Sequence, residues 1–119
     1  VVRLFWQKAL QGEPLTLFGS GTEQRNFVHI DDVCSAFLLV IENPALAQGE
    51  VFNVGHPNCI ALNNLAQLIV ELTGSSSPLL HTPHPCPPDQ LISIEKIRTL
   101  LGWAPTVALR ASIAYLKDV

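Results

Sequence analysis

The chain has 119 residues, 48% of them apolar and only 14% charged, with a formal net charge of −3. Its length suits one domain that buries roughly 65% of its unfolded surface, and its apolar content excludes a disordered chain. The charged fraction falls well below the ~25% of an ordinary domain, which points to surface hidden against something else, and the lack of any long Lys/Arg run argues against nucleic acid or an anionic membrane as partner.

Val2, Leu4, Phe5, Ala9 and Leu10 recur at helical spacing, and Gly12 ends that helix. Leu15 to Phe18 reads as a short strand and Gly19-Ser20-Gly21 as a turn. Phe27 to Ile30 is the next predicted strand. Asp31-Asp32 then opens a helix carrying Val33, Ala36, Phe37, Val40 and Ile41, with Asp32 expected to cap the helix start. Asn43-Pro44 ends that helix, and Val51 to Val54 forms a strand closed by Gly55. Leu62, Leu65, Ala66, Ile69 and Leu72 share one face of a further helix, which Gly74 and Ser75-Ser76-Ser77-Pro78 terminate. The proline-rich stretch 79–91 reads as a loop, residues 93–101 as a short helix stopped by Gly102, and residues 109–117 as a last helix.

Residues 27–55 thus read strand, helix, strand, the size of one βαβ unit. Two parallel strands cannot stand alone, so this unit is expected to complete a larger sheet. The longest apolar run, Ala36 to Ile41, is far short of the ~20 residues of a membrane span. The chain opens without Met and without a signal peptide, and that start reads as a cut end. Cys34, Cys59 and Cys86 are too few and odd in number for a disulfide scaffold, which predicts a reducing, cytoplasmic setting.

The stretch from Gly12-x-Pro14-Leu15-Thr16-Leu17-Phe18-Gly19-Ser20-Gly21 through Arg25-Asn26-Phe27-Val28-His29-Ile30-Asp31-Asp32-Val33 resembles the segment that joins the two domains of nucleotide-sugar epimerases, dehydratases and decarboxylases, the extended short-chain dehydrogenase/reductases. Gly49 to Gly55, Leu65 to Ile69 and Leu100-Leu101-Gly102-Trp103-x-Pro105 resemble later parts of the same family, in the same order. The resemblance implies an α/β fold: a fragment of a Rossmann-type protein, with residues 27–55 as a terminal βαβ of the parallel sheet and residues 1–26 and 56–119 as a small mixed α/β substrate-binding subdomain. The family's N-terminal half binds NAD on a Gly-rich loop and carries a Tyr-x-x-x-Lys pair. This chain has neither: Gly19 and Gly21 lack a third glycine, and the only tyrosine, Tyr115, precedes Leu116-Lys117. The expected role is therefore the nucleotide-sugar binding portion of an NAD-dependent enzyme, not catalytic alone. Its partners would be the nucleotide sugar and an N-terminal Rossmann portion, with a homodimer of the parent through that portion. The rival expectations are a non-enzymatic nucleotide- or protein-binding relative and a truncated, non-functional fragment.

The resemblance places Arg25 on the diphosphate, where a planar fork of donors suits phosphate oxygens. The bland reading of Arg25 is a surface ion pair with Glu23 or Asp32. It also places Phe18 against the base, with the backbone at Thr16 and Phe18 reading the base edge. The bland reading of Phe18 is a core side chain of a short strand. Asn53 is expected to be structural. His56, Cys59, His81, His84 and Cys86 lack zinc spacing and read as scattered loop residues. One departure stands out. Relatives carry Arg-x-Pro-Asp before the terminal helix, whereas His84-Pro85-Cys86-Pro87-Pro88-Asp89-Gln90 keeps the Pro-Asp without the arginine, and Arg98 sits in the wrong register to replace it.

Overall fold

The computed structural model describes residues 1–85 and 88–118. The chain divides into two compact units. The first comprises Val1–Arg25, Ile60–Gln90 and Arg110–Val119, and the second Asn26–Cys59 and Leu91–Leu109.

In the first unit, helix α1 (Val2–Leu10) and strand β1 (Leu15–Phe18) come first, as the sequence predicts. The helix buries Phe5, Trp6 and Ala9. Leu4 and Leu10, which the periodicity placed on the same stripe, are exposed, because the apolar stripe that packs is narrower than the spacing allowed. Strand β2 (Gln24–Asn26) pairs with β3 (Cys59–Ala61), which no sequence signal announced. Helix α4 (Leu62–Thr73) follows β3 directly. Its first-turn N–H groups are satisfied by backbone carbonyls, Leu62 donating to Glu23 and Asn63 to Gly21. At its far end Gly74 adopts φ 65°, and the Ser75 and Gly74 N–H groups return to Val70 and Glu71, the Schellman arrangement.

Residues 79–82 correct the loop expected across 79–91: they form strand β4 (Leu79–Thr82), parallel to β1, with Leu15 opposite Leu79 and Phe18 opposite Thr82. The prolines begin only at Pro83, so β4 keeps its donors. Helix α1 packs against α4, and both pack against β1. Leu15, Leu17, Leu65, Ile69 and Ile113 are fully buried, each contributing on the order of 2 kcal/mol. The predicted last helix is shorter than its pattern: α6 (Leu109–Ala114) tightens into a 3-10 turn over Tyr115–Asp118.

The second unit is built on helix α2 (Ile30–Glu42), a short helix α3 (Pro44–Ala47) and helix α5 (Glu95–Leu101). Ala36, Ile94, Ile97 and Trp103 form its core, with Val28, Leu39, Phe52, Val54 and Leu101 packed around them. Residues 27–30 and 51–54 are not strands among the described residues. Val28, Phe52 and Val54 pack on the core while Ile30 and Val51 are exposed, but a strand exists through its ladder, and among the described residues neither segment has a ladder partner.

Asp32 is not the cap of its helix. His29 takes that place, its Nδ1 accepting from the Asp31 N–H at 3.2 Å. The Asp32 carboxylate, 3% exposed, instead accepts from the Thr106 N–H at 2.8 Å, the Thr106 hydroxyl at 3.0 Å and the Val107 N–H at 3.1 Å. Burial pushes this carboxyl up. The donors at Thr106 and Val107, with His29 nearby, outweigh burial and hold it below the ordinary aspartate value. Trp103 closes the same clamp, its Nε1–H donating to the Asp32 carbonyl at 3.1 Å and to Ser35 Oγ at 2.9 Å. These bonds explain why residues 91–109 belong with α2 and not with the remainder of 56–119. Among the described residues no helix is long and apolar enough to cross a membrane.

Candidate functional site

Strand β1 decides what the first unit can offer a ligand. Its side chains alternate: Leu15 and Leu17 are buried, Thr16 is half-buried and Phe18 is 60% exposed. Its backbone alternates as well. The Leu15 N–H donates to Pro78 and the Gly19 N–H to Thr82, so the odd positions face β4. The N–H and C=O groups of Thr16 and Phe18 therefore point from the opposite edge, which no strand covers among the described residues.

Thr16, Phe18 and Arg25 line one cleft of about 350 Å³, together with Val1, Leu4 and Phe5 from the start of the chain, Leu17, Glu23, Leu62 and His84. That size suits a small-molecule site, mostly apolar with a few converging polar groups. All three residues singled out in the sequence are thus brought together. Phe18 is not a core side chain, and its ring meets that of His84 at 5.5 Å and 57°. Arg25 makes no salt bridge among the described residues; its Nη1 donates to the Gln24 carbonyl at 2.8 Å and the Pro88 carbonyl at 3.0 Å. Carbonyls orient the guanidinium without cancelling its charge, so it remains able to hold an anion.

Two clips fix the frame. Asp89 accepts from the Gln24 N–H at 2.8 Å, and the Gln90 N–H donates to the Gln24 carbonyl. This gives the retained Pro-Asp a job that needs no arginine: it docks the 88–90 segment onto β2. The second clip is Asn63. Its amide donates to the Ser20 carbonyl at 2.9 Å and its Oδ1 meets His81 Nε2 at 2.8 Å. Gly21 beneath it has φ +67°, and a Cβ there would collide with Asn63 Oδ1. The turn that carries the chain from Phe18 to Arg25 is thereby locked to the start of α4.

Sequence reasoning missed the apolar walls from α1 and α4 and did not place His84 in the cleft; the wide spacing of these residues along the chain gave no signal. Asn53 Nδ2 donates to the Ser93 carbonyl at 3.2 Å. Arg98 is paired with Glu95 at 2.8 Å on α5. Among the described residues no cluster of His, Cys, Asp or Glu could hold a metal ion, and Cys86 lies outside them.

A sequence profile of the NAD dependent epimerase/dehydratase family matches residues 1–55. The chain is 44% identical over 73 residues, 60% of its length, to UDP-D-apiose/UDP-D-xylose synthase 1 of Arabidopsis thaliana, and covers 19% of that protein. It is 31% identical over 99% of its length to UDP-glucuronic acid decarboxylase 4 of the same plant, covering 27% of it. The UDP-glucose 4-epimerase of Thermotoga maritima, solved with UDP-glucose, superimposes with a TM-score of 0.86 at 28% identity, over 98% of this chain and 39% of that one. The UDP-glucuronic acid 4-epimerase of Bacillus cereus, in complex with UDP-glucuronic acid and NAD, matches with the same score, identity and coverage. The chain therefore spans well under half the length of these relatives.

Proposed function

Because the chain belongs to the NAD-dependent epimerase/dehydratase family, we propose that it is the nucleotide-sugar binding portion of an enzyme that epimerises, dehydrates or decarboxylates its sugar with NAD. The observation that carries this reading is the convergence of Thr16, Phe18 and Arg25 in one cleft beside an open strand edge. The base and the diphosphate of a nucleotide each find a suitable group there. The exposed Phe18 ring offers a flat apolar surface to a base. The outward N–H and C=O groups of Thr16 and Phe18 offer fixed complements to its edge. Arg25 offers a delocalised cation to the diphosphate.

The residues that handle hydride and proton lie outside this sequence, so its contribution is positioning: holding the sugar nucleotide so that the reacting carbon meets the cofactor, which can supply a large part of a rate enhancement. NAD would oxidise a sugar carbon and return the hydride; the chain has no Gly-rich loop of its own to hold it. The second unit supports the same division of labour. Phe37, Leu38 and Ile41 of α2, with Val51, are more than half exposed, an apolar face suited to covering by an N-terminal Rossmann portion.

Thermal unfolding of the chain with and without millimolar UDP, dTDP and GDP tests the reading. A nucleotide at 100 times its dissociation constant stabilises the fold by about 2.7 kcal/mol. Arg25→Ala should weaken binding by ~1.5–3 kcal/mol, about 10- to 100-fold. A clean unfolding transition that none of the three nucleotides moves would overturn the proposal.

A further inference from the structure

Resting on that reading, the geometry points to His84 as a second, proton-dependent anchor for the diphosphate, so that the cleft takes up a proton when a nucleotide sugar binds. His84 and Arg25 both line the cleft, and the His84 ring meets that of Phe18. Its Nδ1 lies 2.9 Å from the Pro85 carbonyl. A carbonyl can only accept, so Nδ1 carries a hydrogen, and in the neutral ring Nε2 is left with a lone pair. A lone pair repels a phosphate oxygen; a proton at Nε2 turns the same atom into a charge-assisted donor without moving the ring.

The charged side chains lining the cleft are the Arg25 guanidinium and the Glu23 carboxylate. A diphosphate diester brings two negative charges to a lining whose side-chain charges cancel. Protonated His84 supplies the cation that the stretch 84–90 otherwise lacks, since it contains no arginine or lysine.

The test uses UDP-glucose, whose phosphates are diesters and stay ionised throughout, and measures its Kd by calorimetry across the imidazole range, from about pH 8 to about pH 5.5. For the wild-type chain the Kd should fall about 10-fold over that interval, with a slope of at most one proton. For His84→Gln, which keeps a polar group but does not titrate, the Kd should be nearly flat and match the wild-type value at high pH. Any dependence arising from Glu23 persists in His84→Gln and is thereby separated. A flat wild-type profile, or an equal slope in both proteins, overturns the role of His84 while leaving nucleotide binding intact. No binding by either protein at any pH overturns the nucleotide reading, and this inference with it.

Discussion

Replacing Asp32 by asparagine tests the reading of the second unit most directly. The carboxylate receives three donors. Asparagine keeps one oxygen, which can still accept from the Thr106 N–H and hydroxyl, but sets an NH₂ group against the Val107 N–H. Losing the charge on two bonds costs about 1 kcal/mol each, and stranding a half-buried N–H costs a similar amount. The total is about 3 kcal/mol, which lowers the Tm of a chain this size by roughly 12 °C. Circular dichroism melts at neutral pH measure it. The pH dependence supplies a stricter check. The folded pKa of Asp32 is depressed below its ordinary 3.8, so its stabilisation is fully present above that value and is lost as pH falls through the folded pKa. The Tm gap between wild type and Asp32→Asn should therefore close in acid. A gap of equal size at neutral pH and at about pH 2.5, or none at neutral pH, would refute the claim that an ionised clamp holds residues 104–107.

Gly21→Ala and Gly12→Ala form a matched pair, because both glycines have φ near +70° but only Gly21 has Asn63 in the way. Melts should show a loss of about 1 kcal/mol for Gly12→Ala and about 1–3 kcal/mol more for Gly21→Ala. Trp103→Phe keeps an aromatic ring but removes the Nε1 donor to the Asp32 carbonyl and Ser35 Oγ and leaves space where the fully buried indole was, and denaturant titration should show a loss of about 2–4 kcal/mol. Phe18→Ala should leave the melting temperature almost unchanged, since the ring is 60% exposed, yet weaken UDP binding by about 1–3 kcal/mol as base stacking is lost. Glu71→Ala breaks a fully exposed ion pair with Arg110, and its Tm should match wild type within error.

Local chemistry was legible in the sequence wherever one residue type had one job. The stripe of Leu65, Ala66 and Ile69 and the left-handed Gly74 gave α4 both its face and its end. Strand β4 stayed hidden because its partner β1 lies far back in the chain and the prolines after it dominate the composition. Residues 27–30 and 51–54 carried strand chemistry, but composition reports what could join a sheet, not whether a neighbour is there to pair. Asp32 shows the same limit from the other side. A carboxylate in a first helical turn is ordinarily spent on its own helix, and nothing local announced that Thr106 and Val107 would claim it. Thr16, Phe18 and Arg25 were found through the family resemblance of the segment between Gly12 and Val33. His84, part of the same cleft, belongs to a stretch where that resemblance breaks.

The parallel pairing of Leu15 with Leu79 has a consequence for how the polypeptide can be made and cut. The first unit takes in α1 and β1 and is finished only by Ile113, which is fully buried about a hundred residues later. In sequence, the two segments of the second unit alternate with the three of the first. On a ribosome adding about 5–20 residues per second, neither unit can be completed before the other is largely synthesised. The closure of β1 on β4 must also gather in the whole intervening chain, an entropic cost that grows only slowly with its length but must be met before the pairing repays it. A cut after residue 90 would take Trp103 from one unit and Ile113 from the other, and because the segments of the two units alternate along the chain, no single truncation isolates one unit from the other.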